Sequence, residues 1–288
     1  MVSLVDVIVQ GTLLGGLYAL FATGLSLVFG VMRLVNLAHG DLIAAAAFAA
    51  FCVISVLHVH PFVAILVVAP AMAIVGYFLQ LALFNRLLGT DRLRPLLVTF
   101  GVSIVLQNML LVLFSADTRK LSAGSIETLS ANIGAITIGV YPVTVLAVAL
   151  TVTIVLQWIF YSTDLGSRLR ATSDDPEIVG LVGINHWRIF ALASAIAFFV
   201  MGIAGVLMAV RGNFDPFIGP ARLLVAFEAV IIGGLGSFWG TMIGGIAIGI
   251  AQSAGAHFDP AYQMIAGHIV FFLFLLLRPD GLFPKVAH

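Results

Sequence analysis

Residues 222–256 read RLLVAFEAVIIGGLGSFWGTMIGGIAIGIAQSAGA, an apolar run broken in the middle by GGLGSFWG at 233–240. One membrane-spanning helix needs about 20 apolar residues, so this run is too long for a single span. Its glycine cluster is a helix breaker, and two half-helices that re-enter on the same side fit it better. Glu228 is the acidic residue that lies well inside the run. A carboxylate at a helix centre costs about 3 kcal/mol on insertion scales, so it must be paired, protonated or facing water. The sequence reading gives Glu228 a role in structure and gating. Backbone N–H groups and the Ser237 hydroxyl of the 233–237 break are its expected partners. Discontinuous helices of this kind line the substrate sites of transporters.

The rest of the chain is of the same character. Of 288 residues, 61% are hydrophobic and 9% charged, against about 25% charged in soluble domains. Further apolar runs lie near 5–29, 41–57, 61–84, 95–115, 138–160, 189–210 and 259–278. None alternates with the period of a barrel strand. The expected fold is an all-α integral membrane protein, a polytopic helical bundle with broken or re-entrant helices, in one domain over 1–288. The opening MVSLVDVIVQ lacks a basic region before its apolar stretch, so it reads as the start of the first span and not as a cleavable signal peptide. Thirteen basic residues balance thirteen acidic ones, with no patch for nucleic acid. Cys52 is the single cysteine, which rules out an intrachain disulfide.

Basic residues in short loops stay on the cytoplasmic side. A re-entrant 222–256 puts nine of them inside (Arg33, Arg86, Arg92, Arg94, Arg168, Arg170, Arg188, Arg278 and Lys285) and four outside (Arg119, Lys120, Arg211 and Arg222). A single crossing would move the tail outside and leave seven against six, so the re-entrant arrangement with a cytoplasmic C-terminus is preferred. Pairs of glycines four apart (Gly11 with Gly15, Gly236 with Gly240, Gly240 with Gly244, Gly245 with Gly249) predict close helix packing.

Two polar segments need a reason. VMRLVNLAHGD at 31–41 gathers Arg33, Asn36, His39 and Asp41 between two spans. It is either a surface turn or a non-helical stretch lining a cavity, where polar groups at membrane depth are tolerated. At 161–188, Asp174 and Asp175 precede Pro176 and Glu177, which is helix-start chemistry. A short amphipathic helix with Ile178, Val179, Leu181 and Val182 is expected to follow and to stop at Gly183. It would lie on the membrane surface or dock a soluble partner. His58 and His60 lack further ligands for a metal, and His39 with Asp41 lacks a nucleophile for hydrolysis. No cofactor or metal is expected.

Three stretches, GLSLVFGVMRLVNLAHGD (24–41), LLVTFGVSIVLQNMLLVLF (96–114) and FEAVIIGGLGSFWGTMIGG (227–245), together resemble the LivH-type permeases of branched-chain amino-acid ABC importers. LGSRLRATSDDPEIVGLVGINHWRI (165–189) is similar to that family's cytoplasmic coupling loop, and LLLRPDGLFP (275–284) to its usual ending. Leu37 departs from the family pattern, in which an aromatic residue is commoner. The resemblance implies a multi-pass permease subunit in the cell inner membrane, working in the lipid bilayer on a small molecule. It further implies two ATPase subunits, a second related permease subunit and a periplasmic substrate-binding protein. The expected translocation path includes Asn36, His39, Asp41, Gln107, Asn108, Glu228, Gly234 and Ser237. Coupling to the ATPase would use Asp175, Pro176, Glu177, Val179, Leu181 and Gly183. Neither lysine, Lys120 or Lys285, sits in a P-loop, so ATP hydrolysis belongs to another chain and this one is not an enzyme. An ion-coupled secondary transporter, or an ABC permease for urea or short amides, is the alternative.

Overall fold

The computed structural model describes residues 4–88, 93–133 and 136–283; Arg92, Pro284 and Lys285 lie outside the described residues. Helix α1 (Leu4–Met32) carries no charge after Asp6 and is buried along most of its length. A helix apolar all round belongs at the centre of a bundle. Around it come α2 (His39–Leu57), α3 (Pro61–Ala82), α4 (Leu93–Phe114), the single turn α5 (Ser125–Thr128) and a hairpin of β1 (Ser130–Ile133) with β2 (Ile136–Gly139). The chain continues through α6 (Val140–Ser162), α7 (Asp164–Asp174), α8 (Pro176–Leu181), α9 (His186–Arg211), α10 (Gly219–Gly233), α11 (Phe238–Phe258) and α12 (Tyr262–Leu277). Among the described residues, α1, α2, α3, α4, α6 and α9 are each long and apolar enough to cross a membrane, and α10 with α11 meets the test as a bent pair. The hairpin, paired from Ser130 with Gly139, was not foreseen and delays α6 to Val140. At 16 residues α12 is shorter than a typical span, because Asp259 caps the turn before it by accepting from the Ala261 N–H (2.8 Å).

Contacts between helix termini sort the bundle into two ends. At one, Ser173 Oγ donates to the Gly30 carbonyl (2.8 Å) and Asn85 Nδ2 to the Trp187 carbonyl (3.3 Å). Arg33, Arg86, Arg94, Arg168, Arg170, Arg188 and Arg278 belong to this end. At the other, Gln10 Nε2 donates to the Thr137 carbonyl (2.7 Å) and Leu121 N to the Ala209 carbonyl (2.9 Å). Arg119, Lys120 and Arg211 belong there.

The opening stretch breaks where the sequence placed the break, with a bend of 119° between α10 and α11. It does not divide into two half-helices. Gly30 of α1 meets Gly236, Gly15 meets Ile246, and Gly11 meets Ile250, so α11 runs antiparallel to α1 over most of its length. The break therefore lies at the end of the bundle marked by Gly30, and only α10 is short, about 22 Å at 1.5 Å per residue. The glycine rows explain this: Gly245 and Gly249 let α11 lie backbone against backbone on α1, while Gly240 and Gly244 do the same towards α10. Gly234, at φ +99°, turns the chain out of α10. The C-terminal segment closes the break, with Leu282 N donating to the Ile232 carbonyl (2.9 Å) and Phe283 N to the Gly233 carbonyl (3.1 Å). These carbonyls would otherwise be orphans of a helix end buried in protein.

Candidate functional site

The polar stretch after α1 is not a surface turn. Arg33 takes a left-handed conformation (φ 52°), residues 33–38 are non-helical, and the chain folds back along α1. His39 Nε2 lies 2.7 Å from the carbonyl of Phe21, eleven residues before the end of α1. Helix α2 therefore begins about 16 Å inside the bundle. A carbonyl only accepts, so Nε2 carries the hydrogen, while Nδ1 is buried without a hydrogen-bond partner among the described residues. Asn36 is 1% exposed, and its Oδ1 accepts from the Ala38 N–H (3.0 Å), an Asx turn that leads the chain into α2.

The first turn of α2 crosses the first turn of α10. A Cβ on Gly40 would fall on the Gly219 carbonyl, and one on Gly219 would fall on the Asp41 carboxylate. Two helix N-termini thus meet inside the bundle, each with the partial positive charge of a helix start. Asp41 lies at this crossing, buried, accepting from Ser103 Oγ (2.5 Å) and from Gln107 Nε2 (3.0 Å) on α4. Gln107 also donates to Ser103 Oγ (3.2 Å), which closes a three-residue network. Ser103 was missed by the sequence reading, although its spacing of four from Gln107 puts both on one helix face.

The remaining expected residues lie elsewhere. Asn108 is exposed on another face of α4 and donates to the Ile104 carbonyl of its own helix (2.8 Å). Gly234 and Ser237 are at the break; Ser237 Oγ caps α11 by accepting from the Gly240 N–H (3.1 Å) and so does not serve Glu228. The partner of Glu228 is His268 of α12, whose Nδ1 is 2.5 Å from Oε1, while Oε2 is buried with no hydrogen-bond partner among the described residues. A histidine in the middle of the 259–278 run carries the same signal as Glu228 and was not used. The structure also puts Arg222, read from sequence as an outer residue, in the first turn of α10, half-buried beside the start of α2.

At the end marked by Gly30, α7 and α8 form a compact cap. Thr163 caps α7 by accepting from the Gly166 N–H (3.2 Å), and Asp175 caps α8 by accepting from the N–H groups of Glu177 (2.9 Å) and Ile178 (3.0 Å). Gly183 (φ 82°) ends it. The apolar residues divide by face. Val179 is 5% exposed and packed inward, whereas Ile178, Leu181 and Val182 are 60%, 87% and 73% exposed.

Residues 7–277 match the family model described as "Branched-chain amino acid transport system / permease component". The high-affinity branched-chain amino acid transport system permease protein BraD of Pseudomonas aeruginosa is 30% identical, over 96% of this chain and 94% of the relative. The corresponding LivH of Escherichia coli K12 is 31% identical, over 95% of this chain and 93% of the relative. LivH of Salmonella typhimurium is 30% identical with the same coverage. No solved structure matches the chain.

Proposed function

The chain belongs to the family of branched-chain amino acid transport system permease components, and from that premise we propose that it is the membrane permease subunit of an ATP-driven importer for branched-chain amino acids. The observation that carries a transport role is the meeting of the α2 and α10 N-termini inside the bundle, with Asp41, Ser103 and Gln107 around it. Irregular backbone and polar side chains at membrane depth persist where they line a pathway or are buried in protein, and transporters bind substrate at such discontinuities. Asn36, His39, Asp41 and Gln107 form one wall of the path, and Glu228 stands further along α10. Asn108 faces away, and Gly234 and Ser237 serve the break.

The arginine-rich end is cytoplasmic by the positive-inside rule, and this carries the C-terminal segment with it. The chain works as a single permease domain over 1–288 in the inner membrane. Energy comes from two separate ATPase subunits docked on α7 and α8. A second related permease completes the pathway, and a periplasmic binding protein delivers the substrate. Rigid-body rocking of helices about the α1–α11 pair switches access.

Affinity purification in mild detergent is expected to bring down a P-loop ATPase, and proteoliposomes holding the complex are expected to take up leucine only with ATP. Uptake that persists without an ATPase and collapses with a proton or sodium gradient would replace this reading with an ion-coupled carrier. The path itself has a separate test in a Cys52→Ser background, needed because Cys52 is exposed. Asn36→Cys and His39→Cys, at positions 1% and 0% exposed, are expected to resist hydrophilic thiol reagents at rest and to react during ATP turnover. Equal and rapid labelling in every state would make the segment a surface turn.

A further inference from the structure

Where α1, α6, α7 and the start of α11 meet, at the Gly30 end of the bundle, they border a cavity of about 10 Å³. Ser26 and Arg170 both line it. Ser26 is 0% exposed, and its Oγ has no hydrogen-bond partner among the described residues; Arg170 Nη1 is buried and equally without one. The other terminal nitrogen, Nη2, donates to Ser167 Oγ on its own helix (3.4 Å), and the guanidinium stands 5.2 Å from the centroid of the Tyr161 ring. Neither contact supplies a negative charge. Among the described residues the ion pairs are Lys120 with Glu127 and His268 with Glu228, so Arg170 has no carboxylate to balance it. A buried cationic nitrogen and a buried hydroxyl each cost free energy while they lack a partner.

A further positive contribution comes from the backbone. Gly236 and Phe238 also line the cavity, and Phe238 is the first residue of α11. That helix has no acidic residue in its first turn, so the partial positive charge of its start is not offset there. Helix starts of this kind bind anions. Phe160, another lining residue, packs edge to face on Phe238 with ring centroids 5.0 Å apart. We propose that the cavity is a site for one monatomic anion, a chloride ion held between Arg170 Nη1 and Ser26 Oγ at the start of α11. A volume of about 10 Å³ takes a single small particle. A whole phosphate or sulfate is too large for it, and a water molecule answers the hydrogen bonds but not the charge. The bound ion ties α7 to α1 and to the break, beside the bond from Ser173 Oγ to the Gly30 carbonyl. It thereby holds in place the cap that α7 forms with α8, whatever the chain transports.

The test uses the full-length protein, with any subunits that purify with it, in nanodiscs of zwitterionic lipid. Two readouts serve: broadening of the chloride NMR line, and the thermal midpoint in chloride against gluconate at equal ionic strength. The wild type is expected to broaden the line and to melt about 3 °C or more higher in chloride at ten times Kd. Ser26→Ala removes one donor to the ion and should weaken chloride binding by about tenfold. Its midpoint in gluconate should match that of the wild type, because no protein partner of the hydroxyl is lost. Arg170→Gln should abolish both responses, and Arg170→Lys, which keeps the charge without the planar fork, should weaken them. Ser26→Ala carries the test alone where Arg170→Gln fails to assemble. A wild type that responds to chloride in neither readout would overturn the site and leave a water in the cavity. A response that persists at full strength in Ser26→Ala and in assembled Arg170→Gln would also overturn it, by placing the ion elsewhere. So would stabilisation by phosphatidylglycerol that needs Arg170 while chloride has no effect, which would assign the arginine to a lipid phosphate oxygen.

Discussion

Replacing Ile178 and Leu181 together with aspartate is expected to release the ATPase from the complex and to abolish ATP-driven uptake, while the permease still inserts and folds. Both side chains are exposed, at 60% and 87%, and their spacing of three places them on one side of α8. An apolar pair jutting from the surface suits a groove on a partner, which is the docking role proposed for α8. Buried anchors of this type contribute about 2 kcal/mol or more each, so losing two should weaken docking by about 10³-fold or more. The sequence reading paired Leu181 with Val179, and the structure separates their roles. Val179 is packed under α8, and its carbonyl accepts from the Ile184 N–H (3.3 Å). Val179→Asp would bury a charge within this chain and disorder the cap, which makes it the wrong probe of docking. Co-purification and proteoliposome uptake read the first effect, and thermal stability of the isolated permease separates it from the second. A double variant that still co-purifies with the ATPase would move the docking surface elsewhere.

How much of this was legible before folding depends on whether the signal is local. The break in 222–256 was, because a run too long for one span with three glycines at its centre has no continuous helical solution. The start of α8 was equally plain, since Asp175 caps it through bonds within three residues and Pro176 sits at its first position. The lengths of the two pieces around the break were not, because α11 continues only where its glycines face those of α1, and that register is set by tertiary packing across more than 200 residues. The partner of Glu228 was hidden for the same reason. Nothing in the spacing of residues 228 and 268 says that α12 lies beside α10, so the nearest hydroxyl looked like the better candidate. The fold-back of 33–38 lies between these cases. Its polar residues announced something unusual, but only the bond from His39 to the Phe21 carbonyl fixes its depth.

That depth leaves the crossing of α2 and α10 no room for an added side chain. Gly40→Ala is expected to cut uptake by about 100-fold or more and to lower the thermal midpoint by about 5 °C or more. The added methyl would fall on the Gly219 carbonyl, with the Leu223 backbone N close behind at 2.8 Å. Overpacking usually costs about 1–3 kcal/mol because neighbouring side chains move aside; here the obstacle is backbone held by its own helix. Relief requires α10 to shift from α2, and the shift pulls the first turn of α10 away from Asp41 and disturbs its contacts with Ser103 and Gln107. Gly219→Ala should act alike, since its methyl would meet the Asp41 carboxylate. Gly101→Ala on α4 is the matched control: its methyl would have nothing within 4 Å among the described residues, so uptake and melting should match the wild type. Normal uptake by Gly40→Ala would mean that the two helix starts do not meet in the working transporter, and the path would have to be sought away from this crossing.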